Sequence, residues 1–482
     1  AEVALCYTGD ILDTNRDKYS LQYYVNKAKE IEKMGAHILA IKDMSALLKP
    51  YSARKLIKAL KNEISIPIHL HTHDTTGTGV ATVLMAAEAG VDIVDTTFNG
   101  MSGLTSQPAL NSIVAALENT DRDTGIDLND IQKLSDYWDG IRPIYSKFES
   151  GLKSGSAEIY KYEIPGGQYS NLRPQVESFG LGHRFKEVKL MYKRVNEMVG
   201  DIIKVTPSSK MVGDMAIFMV QNDLTPENVY NKAKNMAFPD SVVSYFKGMM
   251  GQPEGGFPKD LQKLVLKGEK PIDVRPGELL KDEDFQGIKG HINKRFSIKA
   301  TNRDAISYAL YPDVYEEYLK FLQEFGNVSR IRSDVFLHGL AEGEVSEIDL
   351  GEGKTIIVKL VQIGNIDLDG YRNVDFEING YRRSIRIKDR TQTVRSVLGE
   401  DSKFRMADSN NKSDVGASIP GNIIKILVKK GERVEEGQSL AVIEAMKMET
   451  NIVATIEGII EAVYVSEGQQ VKTGELLMKI SN

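Results

Sequence analysis

Cysteine is nearly missing from this 482-residue chain, and Cys6 stands alone. A lone thiol excludes an intramolecular disulfide and suits a reducing compartment. No apolar stretch approaches the roughly 20 residues needed to span a bilayer, and no secretory leader is visible. Long basic runs are lacking too, and the net charge is -6, so neither nucleic acid nor an anionic membrane is an expected partner. These absences give the expectation of a cytoplasmic protein. The chain also lacks an initial Met: Ala1-Glu2-Val3-Ala4-Leu5 already reads as a strand, so the expected start is interior to a longer protein. What remains is ordinary for a globular chain, with 41% hydrophobic and 27% charged residues, and the length allows roughly three domains.

The most telling feature is an internal repeat around Lys447. Ile419–Leu440 (IPGNIIKILVKKGERVEEGQSL) and Ile456–Leu477 (IEGIIEAVYVSEGQQVKTGELL) align without a gap, with Gly421 on Gly458, Gly431 on Gly468 and Gly437 on Gly474. Each copy alternates apolar residues and breaks at glycines, so each reads as short strands joined by tight turns. Two such copies predict a flattened β-sandwich with a pseudo-twofold axis. The EAMKMET segment between them presents Lys447 between Met446 and Met448. One of 61 basic residues is ordinarily a solvated surface lysine; one held at a hairpin tip between symmetric halves suits enzymatic acylation. EAMKMET resembles the attachment turn of biotinyl carrier domains, which implies biotin on Lys447. The related lipoyl carriers usually have Asp-Lys-Ala at that tip.

Upstream, strands are expected at Val3–Tyr7, His37–Ile41, Ile66–His71 and Asp92–Phe98, with helices at Tyr19–Met34, Tyr51–Lys61 and Thr78–Gly90. That alternation implies parallel strands, in an open sheet or in half of an eight-stranded barrel. From about Ile131 to Lys270 the pattern is mostly helical. A helix over Tyr308–Phe325 precedes a strand-rich stretch from Asp334 to Val397, and polar Asp401–Gly416 reads as a flexible tether for a swinging carrier.

Two segments carry chemistry. In I66-P-I-H-L-H-T-H-D74, His69, His71 and His73 fall on one face of a strand. They read either as hydrogen-bonded polar residues at a strand end or as ligands to a divalent ion. His71 and His73 lie at the C-terminal end, where parallel-strand folds place active sites; His69, one layer deeper, is expected to serve packing. Lys42 ends the preceding strand, where a bare buried cation needs a partner or a modification. Carbamylation would turn it into an anionic oxygen ligand. In V205-T-P-S-S-K-M211, Thr206 reads as an N-cap with Pro207 at the first helical position, a helix then running to Val220. The same geometry would present the Thr206 and Ser209 hydroxyls, with Lys210 nearby, to an anionic or polarised ligand.

CYTGDILD, KDM with LLKP, HTHDTTGTG, MSGLTSQP, EIPGGQYSN, GDIIKVTPSSK, the GGFP turn and EAMKMET follow one another as in the pyruvate carboxylase family, and the chain resembles its C-terminal part over nearly its whole length. The resemblance implies the second half of a TIM-type barrel carboxyltransferase over residues 1–135, its helical companion over 136–275, and a mixed, strand-rich allosteric or tetramerisation domain over 276–405. A linker over 406–417 and a biotin carboxyl carrier domain over 418–482 would follow. It further implies that a carboxylated Lys42 binds zinc or manganese with His71 and His73. Thr206 would shuttle a proton between pyruvate's methyl group and the biotin ureido nitrogen, while Ser209 and Lys210 seat the biotin ring. Carboxybiotin on Lys447 would swing into the barrel mouth, release carbon dioxide and yield oxaloacetate.

Implied partners are pyruvate and oxaloacetate, a biotin protein ligase, three further copies in a homotetramer, and acetyl-CoA as activator. ATP and Mg would serve a biotin carboxylase half for which no glycine-rich nucleotide segment is present here. The family's first barrel strands, with a metal-binding aspartate and the arginine and glutamine that hold pyruvate, also have no counterpart. A half barrel leaves strand edges open, so this fragment alone is expected to be inactive. Two alternatives stand beside this reading: the biotin-containing alpha subunit of an oxaloacetate decarboxylase, and a non-catalytic carrier scaffold.

Overall fold

The computed structural model describes all residues except 235, 368–369, 390–405, 409–410, 446–447, 473 and 482. It falls into two compact units, Ala1–Glu278 with Phe404–Asn482, and Leu279–Lys403.

The first unit opens with β1 (Glu2–Cys6), α1 (Leu21–Lys33), β2 (Ile38–Asp43), α2 (Pro50–Glu63), β3 (Ile68–Thr72), α3 (Gly79–Glu88) and β4 (Ile93–Val94). Local chemistry starts the helices: the Ser20 side chain accepts from the Tyr23 N–H, and α2 begins at Pro50. The four strands are parallel in the order β1-β2-β3-β4, and the sheet is open. Leu39, Ile41, Ile68 and Leu70 alternate onto the face that buries Tyr24 and Ala28 of α1 and Leu56, Ile57 and Leu60 of α2. The opposite face carries Ala40, Lys42, His69 and His71. Asp92–Phe98, expected as a full strand, pairs only at Ile93 and Val94. Beyond them the chain bends away, and Thr97 bridges Ala109 instead.

α4 (Leu110–Leu117) and α5 (Leu128–Ile141) lead into the helical layer: α6 (Ile159–Tyr162), α7 (Gly166–Ser178), α8 (Phe185–Met198), α9 (Ser208–Gln221), α10 (Val229–Lys232), α11 (Asp240–Lys247) and α12 (Lys259–Leu266). α9 is its axis, buried continuously from Met211 to Val220. It packs on α7, α8 and α11. Gly213 permits the closest approach, since a Cβ there would sit 2.6 Å from Gln168 Nε2 on α7.

The second unit holds α13 (Phe285–Phe296), α14 (Asn302–Leu310), α15 (Pro312–Phe325) and α16 (Ser333–His338), then an antiparallel meander of β5 (Val345–Gly351), β6 (Lys354–Ile363), β7 (Tyr371–Ile378) and β8 (Tyr381–Lys388). The single helix expected over Tyr308–Phe325 is two, because Pro312 cannot continue α14 and instead opens α15. Its helical core is small: Ile292, Phe296 and Leu319.

The C-terminal repeat forms β9 (Asp414–Gly416), β10 (Gly421–Ile426), β11 (Arg433–Val434), β12 (Ser439–Ala445), β13 (Met448–Val453), β14 (Gly458–Val463), β15 (Gln470–Val471) and β16 (Leu476–Ser481). They make two four-stranded sheets, β13-β12-β10-β15 and β11-β14-β16-β9. The copies match in detail. Each has a bulge at the same place, Ile423/Lys425 and Ile460/Ala462, and the Leu427 N–H to Leu440 carbonyl bond recurs as Tyr464 to Leu477. Each copy lends its two-residue strand to the other's sheet, β15 pairing with β10 and β11 with β14. Part of the stretch read as a tether is structured: Met406 bridges Glu475, and β9 pairs with β16.

Candidate active site

Sheet register brings the first groups together. Lys42 on β2 pairs with Cys6 on β1 and with His71 on β3, so the three share one face at the strands' C-terminal ends. The neighbouring Asp43 points the other way and is fully buried. It accepts from the Leu47 and Leu48 N–H groups at 2.9 Å each and from the Thr72 hydroxyl at 2.8 Å. Those bonds pin the end of β2 to β3 and to the following loop. Burial pushes the Asp43 carboxyl up against the pull of its donors.

Each histidine has a distinct role. His69 is engaged at both ring nitrogens, by Glu2 at 2.8 Å and Asp95 at 2.9 Å, so it has no nitrogen left for a ligand. Burial pulls its pKa down, but the two carboxylates prevail and raise it. His71 Nδ1 lies 2.7 Å from the other oxygen of Asp95. Burial raises the Asp95 carboxyl, and the two imidazoles pull it below its ordinary value. His73 Nδ1 lies 2.7 Å from the Thr105 carbonyl, an acceptor that assigns the proton to Nδ1. Burial, with His71 and Lys42 nearby, lowers its pKa. At neutral pH the His73 ring is therefore neutral, with the Nε2 lone pair free. Gly166 allows α7 to start against this ring, since a Cβ there would lie 3.3 Å from both Nδ1 and the Thr105 carbonyl.

α9 approaches from the opposite side. Thr206 was expected to cap it, but the helix starts at Ser208 after a cis Thr206-Pro207 bond, and no side chain caps it. Ser208 Oγ instead bonds the Ile203 and Val205 carbonyls at 2.7 and 2.6 Å. Capping makes no demand on the Thr206 hydroxyl, which sits at the cavity.

That cavity measures about 660 Å³. Lys42, Met44, His71 and His73 line its floor, residues from Pro165 to Gln175 on and before α7 form one wall, and Lys204, Val205, Thr206, Ser209 and Lys210 form the other. Six of the seven residues singled out from the sequence thus converge. The seventh, Lys447, lies with Met446 outside the described residues; the strands flanking them pair Ala445 with Met448.

Several residues here carry no local sequence signal. Lys204 is fully buried and bonds Glu163 at 3.0 Å, while Arg16 holds Glu163 at 2.6 Å and Asp201 at 2.9 Å. Burial alone would raise the Glu163 carboxyl, yet Lys204 and Arg16 hold it at about 2. The network ties the loop after β1 to the helical layer across more than 140 residues of chain. Lys210 pairs with the buried Asp214 at 2.6 Å.

The lining includes three lysines and no carboxylate. Lys204 and Lys210 have acidic partners; Lys42 Nζ has none among the described residues. Such a chamber suits an anionic ligand. A divalent ion has two fitting donors, because both imidazoles are held at Nδ1 and keep Nε2 available. Among the described residues no three His, Cys, Asp or Glu side chains form a cage. No helix among the described residues is long and apolar enough to cross a membrane.

Comparison with known proteins agrees along the chain. Residues 14–137 match the HMGL-like family, 159–359 the conserved carboxylase domain, and 411–480 the biotin-requiring enzyme family. The pyruvate carboxylase of Bacillus subtilis is 50% identical over 480 residues, covering 100% of this chain and 41% of that protein. The human mitochondrial pyruvate carboxylase is 41% identical, over 99% of this chain and 40% of its own length. This chain therefore spans about two-fifths of those relatives. The carboxyl transferase domain of Rhizobium etli pyruvate carboxylase, solved with pyruvate and biocytin, is similar at a TM-score of 0.74 and 47% identity, covering 81% of this chain and 66% of that one.

Proposed function

We propose, for a chain that belongs to the pyruvate carboxylase family and spans its C-terminal part, that it transfers a carboxyl group from biotin to pyruvate, giving oxaloacetate. The observation that carries this is the lysine-rich, carboxylate-free cavity that gathers Lys42, His71, His73, Thr206, Ser209 and Lys210.

Thr206 is the catalytic residue. Its hydroxyl, free of capping duty, takes a proton from the keto acid's methyl carbon and delivers one to the nitrogen that loses the carboxyl group. The methyl carbon's electron pair is then free to attack carbon dioxide. Ser209 and Lys210 seat the incoming ring at the wall. Lys204, locked to Glu163, contributes a fixed positive charge to the chamber, and the apolar helical layer behind it keeps water out. Biotin on Lys447 would supply the carboxyl group, and a zinc or manganese ion on His71, His73 and a carboxylated Lys42 would supply Lewis acidity toward the keto acid.

On this reading the open sheet is the second half of a TIM-type barrel closed by upstream residues, and the paired sheets at the C terminus form a flattened sandwich. Residues 276–405 are the allosteric and tetramerisation domain, answering to acetyl-CoA. Residues 136–275 accompany the barrel, 406–417 link, and 418–482 carry biotin. An upstream half using ATP and Mg, a biotin protein ligase, a homotetramer and a cytoplasmic location complete the proposal.

In the full-length protein, made with a biotin ligase, Thr206→Ala is expected to lose carboxylation of pyruvate by 10²-fold or more while the peptide bearing Lys447 keeps its biotinyl mass. Unchanged activity would leave a scaffold, and turnover without ATP in the oxaloacetate-consuming direction alone would favour a decarboxylase.

A further inference from the structure

The use of Asp214 is not explained by the packing around it. It lies on α9 one turn beyond Lys210, fully buried, among Met211, Val212, Met215, Ala216 and Ile217. Its two oxygens accept from three side-chain donors. Oδ2 accepts from Lys210 Nζ at 2.6 Å and from Ser241 Oγ at 2.6 Å, and Oδ1 accepts from Gln175 Nε2 at 3.2 Å.

Stability does not call for this arrangement. A buried ion pair gives no reliable gain over apolar side chains of similar volume, and at this point in α9 such a side chain would simply continue the core. Placement is what the carboxylate adds. Two of its donors, Lys210 and Gln175, line the cavity from different helices. The third, Ser241, sits in the first turn of α11, against which β13 of the repeat domain packs. Asp240, next to Ser241, accepts from Asn451 Nδ2 of β13 at 3.4 Å. Asp214 is thus the common acceptor for the two cavity walls and for the helix that receives the carrier.

We propose that Asp214 is a positioning residue for the biotin subsite: it fixes the Lys210 ammonium and the Gln175 amide at the cavity mouth, and through Ser241 it ties their placement to the surface on which the carrier rests. The inference rests on the carboxyl-transfer reading above. A lysine on a four-carbon stem samples many rotamers, and one held by a buried acceptor meets its ligand already ordered. Losing the carboxylate should weaken ligand capture and leave the chemical step intact.

The experiment uses the full-length protein with Lys447→Arg, so that free biocytin replaces the tethered group, and follows biocytin-dependent decarboxylation of oxaloacetate. Asp214→Asn keeps the shape and removes the charge. It is expected to raise the half-saturating biocytin concentration about tenfold, with kcat and the KM for oxaloacetate within threefold of the parent. Lys210→Met should also raise the biocytin requirement, and the double variant should fall clearly short of the product of the two single losses, because both remove the same ammonium placement. Losses that multiply, or an Asp214→Asn effect on kcat alone, would overturn the proposal. If Asp214→Asn does not fold, Ser241→Ala and Gln175→Leu loosen the same carboxylate from its other sides, and an unchanged biocytin requirement in both overturns it equally. A parent with no biocytin-dependent turnover would instead remove the carboxyl-transfer reading, and this inference with it.

Discussion

Glu163 shows how a single residue can hold a site together without facing the substrate. Its carboxylate joins Lys204, fully buried in the cavity wall, to Arg16 in the loop after β1. Because its folded pKa of about 2 lies below its ordinary 4.5, the group adds stability that is fully present above 4.5. That stability is lost as pH falls toward 2, about 3 kcal/mol in all. Denaturant unfolding of the wild type between pH 5 and pH 2.5 should show this slope, and Glu163→Gln should flatten it. The same substitution at pH 7 strands Lys204 without its buried partner and is expected to cost about 3–5 kcal/mol. None of this was legible in the sequence. Lys204 reads there as one lysine beside V205-T-P-S-S, and its partners lie far away along the chain. His71 and His73 were legible, because alternation along a strand fixes which side chains share a face.

At the scale of elements, legibility followed repetition and local chemistry. The paired glycines of the repeat revealed two equal halves, since Gly421 and Gly458 each sit where a Cβ would run into the partner strand's backbone, at Glu444 and Ser481. Alanine at either position is expected to cost about 1–3 kcal/mol. The two costs should agree, because the contacts are repeated; hydrogen exchange of β10 and β14 in the whole chain would measure both. Less was readable where tertiary pairing decides. Asp92–Phe98 has strand-like composition, but only two of its residues find a neighbour in the sheet. Thr206-Pro207 looks like a helix start, yet Ser208 takes over the local hydrogen bonding. The apolar spacing over Tyr308–Phe325 suits one helix, yet Pro312 ends α14 and opens α15.

For the whole molecule, the division into two units predicts divided unfolding. The helical part of the second unit rests on only three well-buried side chains, Ile292, Phe296 and Leu319, while the first unit has extensive cores. Ile292→Ala should remove about 2–5 kcal/mol. In scanning calorimetry it is expected to lower one transition and leave the other in place; a uniform shift would mean that the units unfold as one.

The exchange of two-residue strands in the C-terminal repeat has a consequence for synthesis. β12 and β13, which flank residues 446–447, are made while β15 and β16 are still to come, so a nascent or truncated chain ending before Gln470 holds them in a sheet that lacks its outer strand, beside a second sheet without its centre. Any enzyme that recognises β12 and β13 by their supported shape would pass over such chains. Attachment at Lys447 would then mark chains in which β15 and β16 have already paired into their sheets.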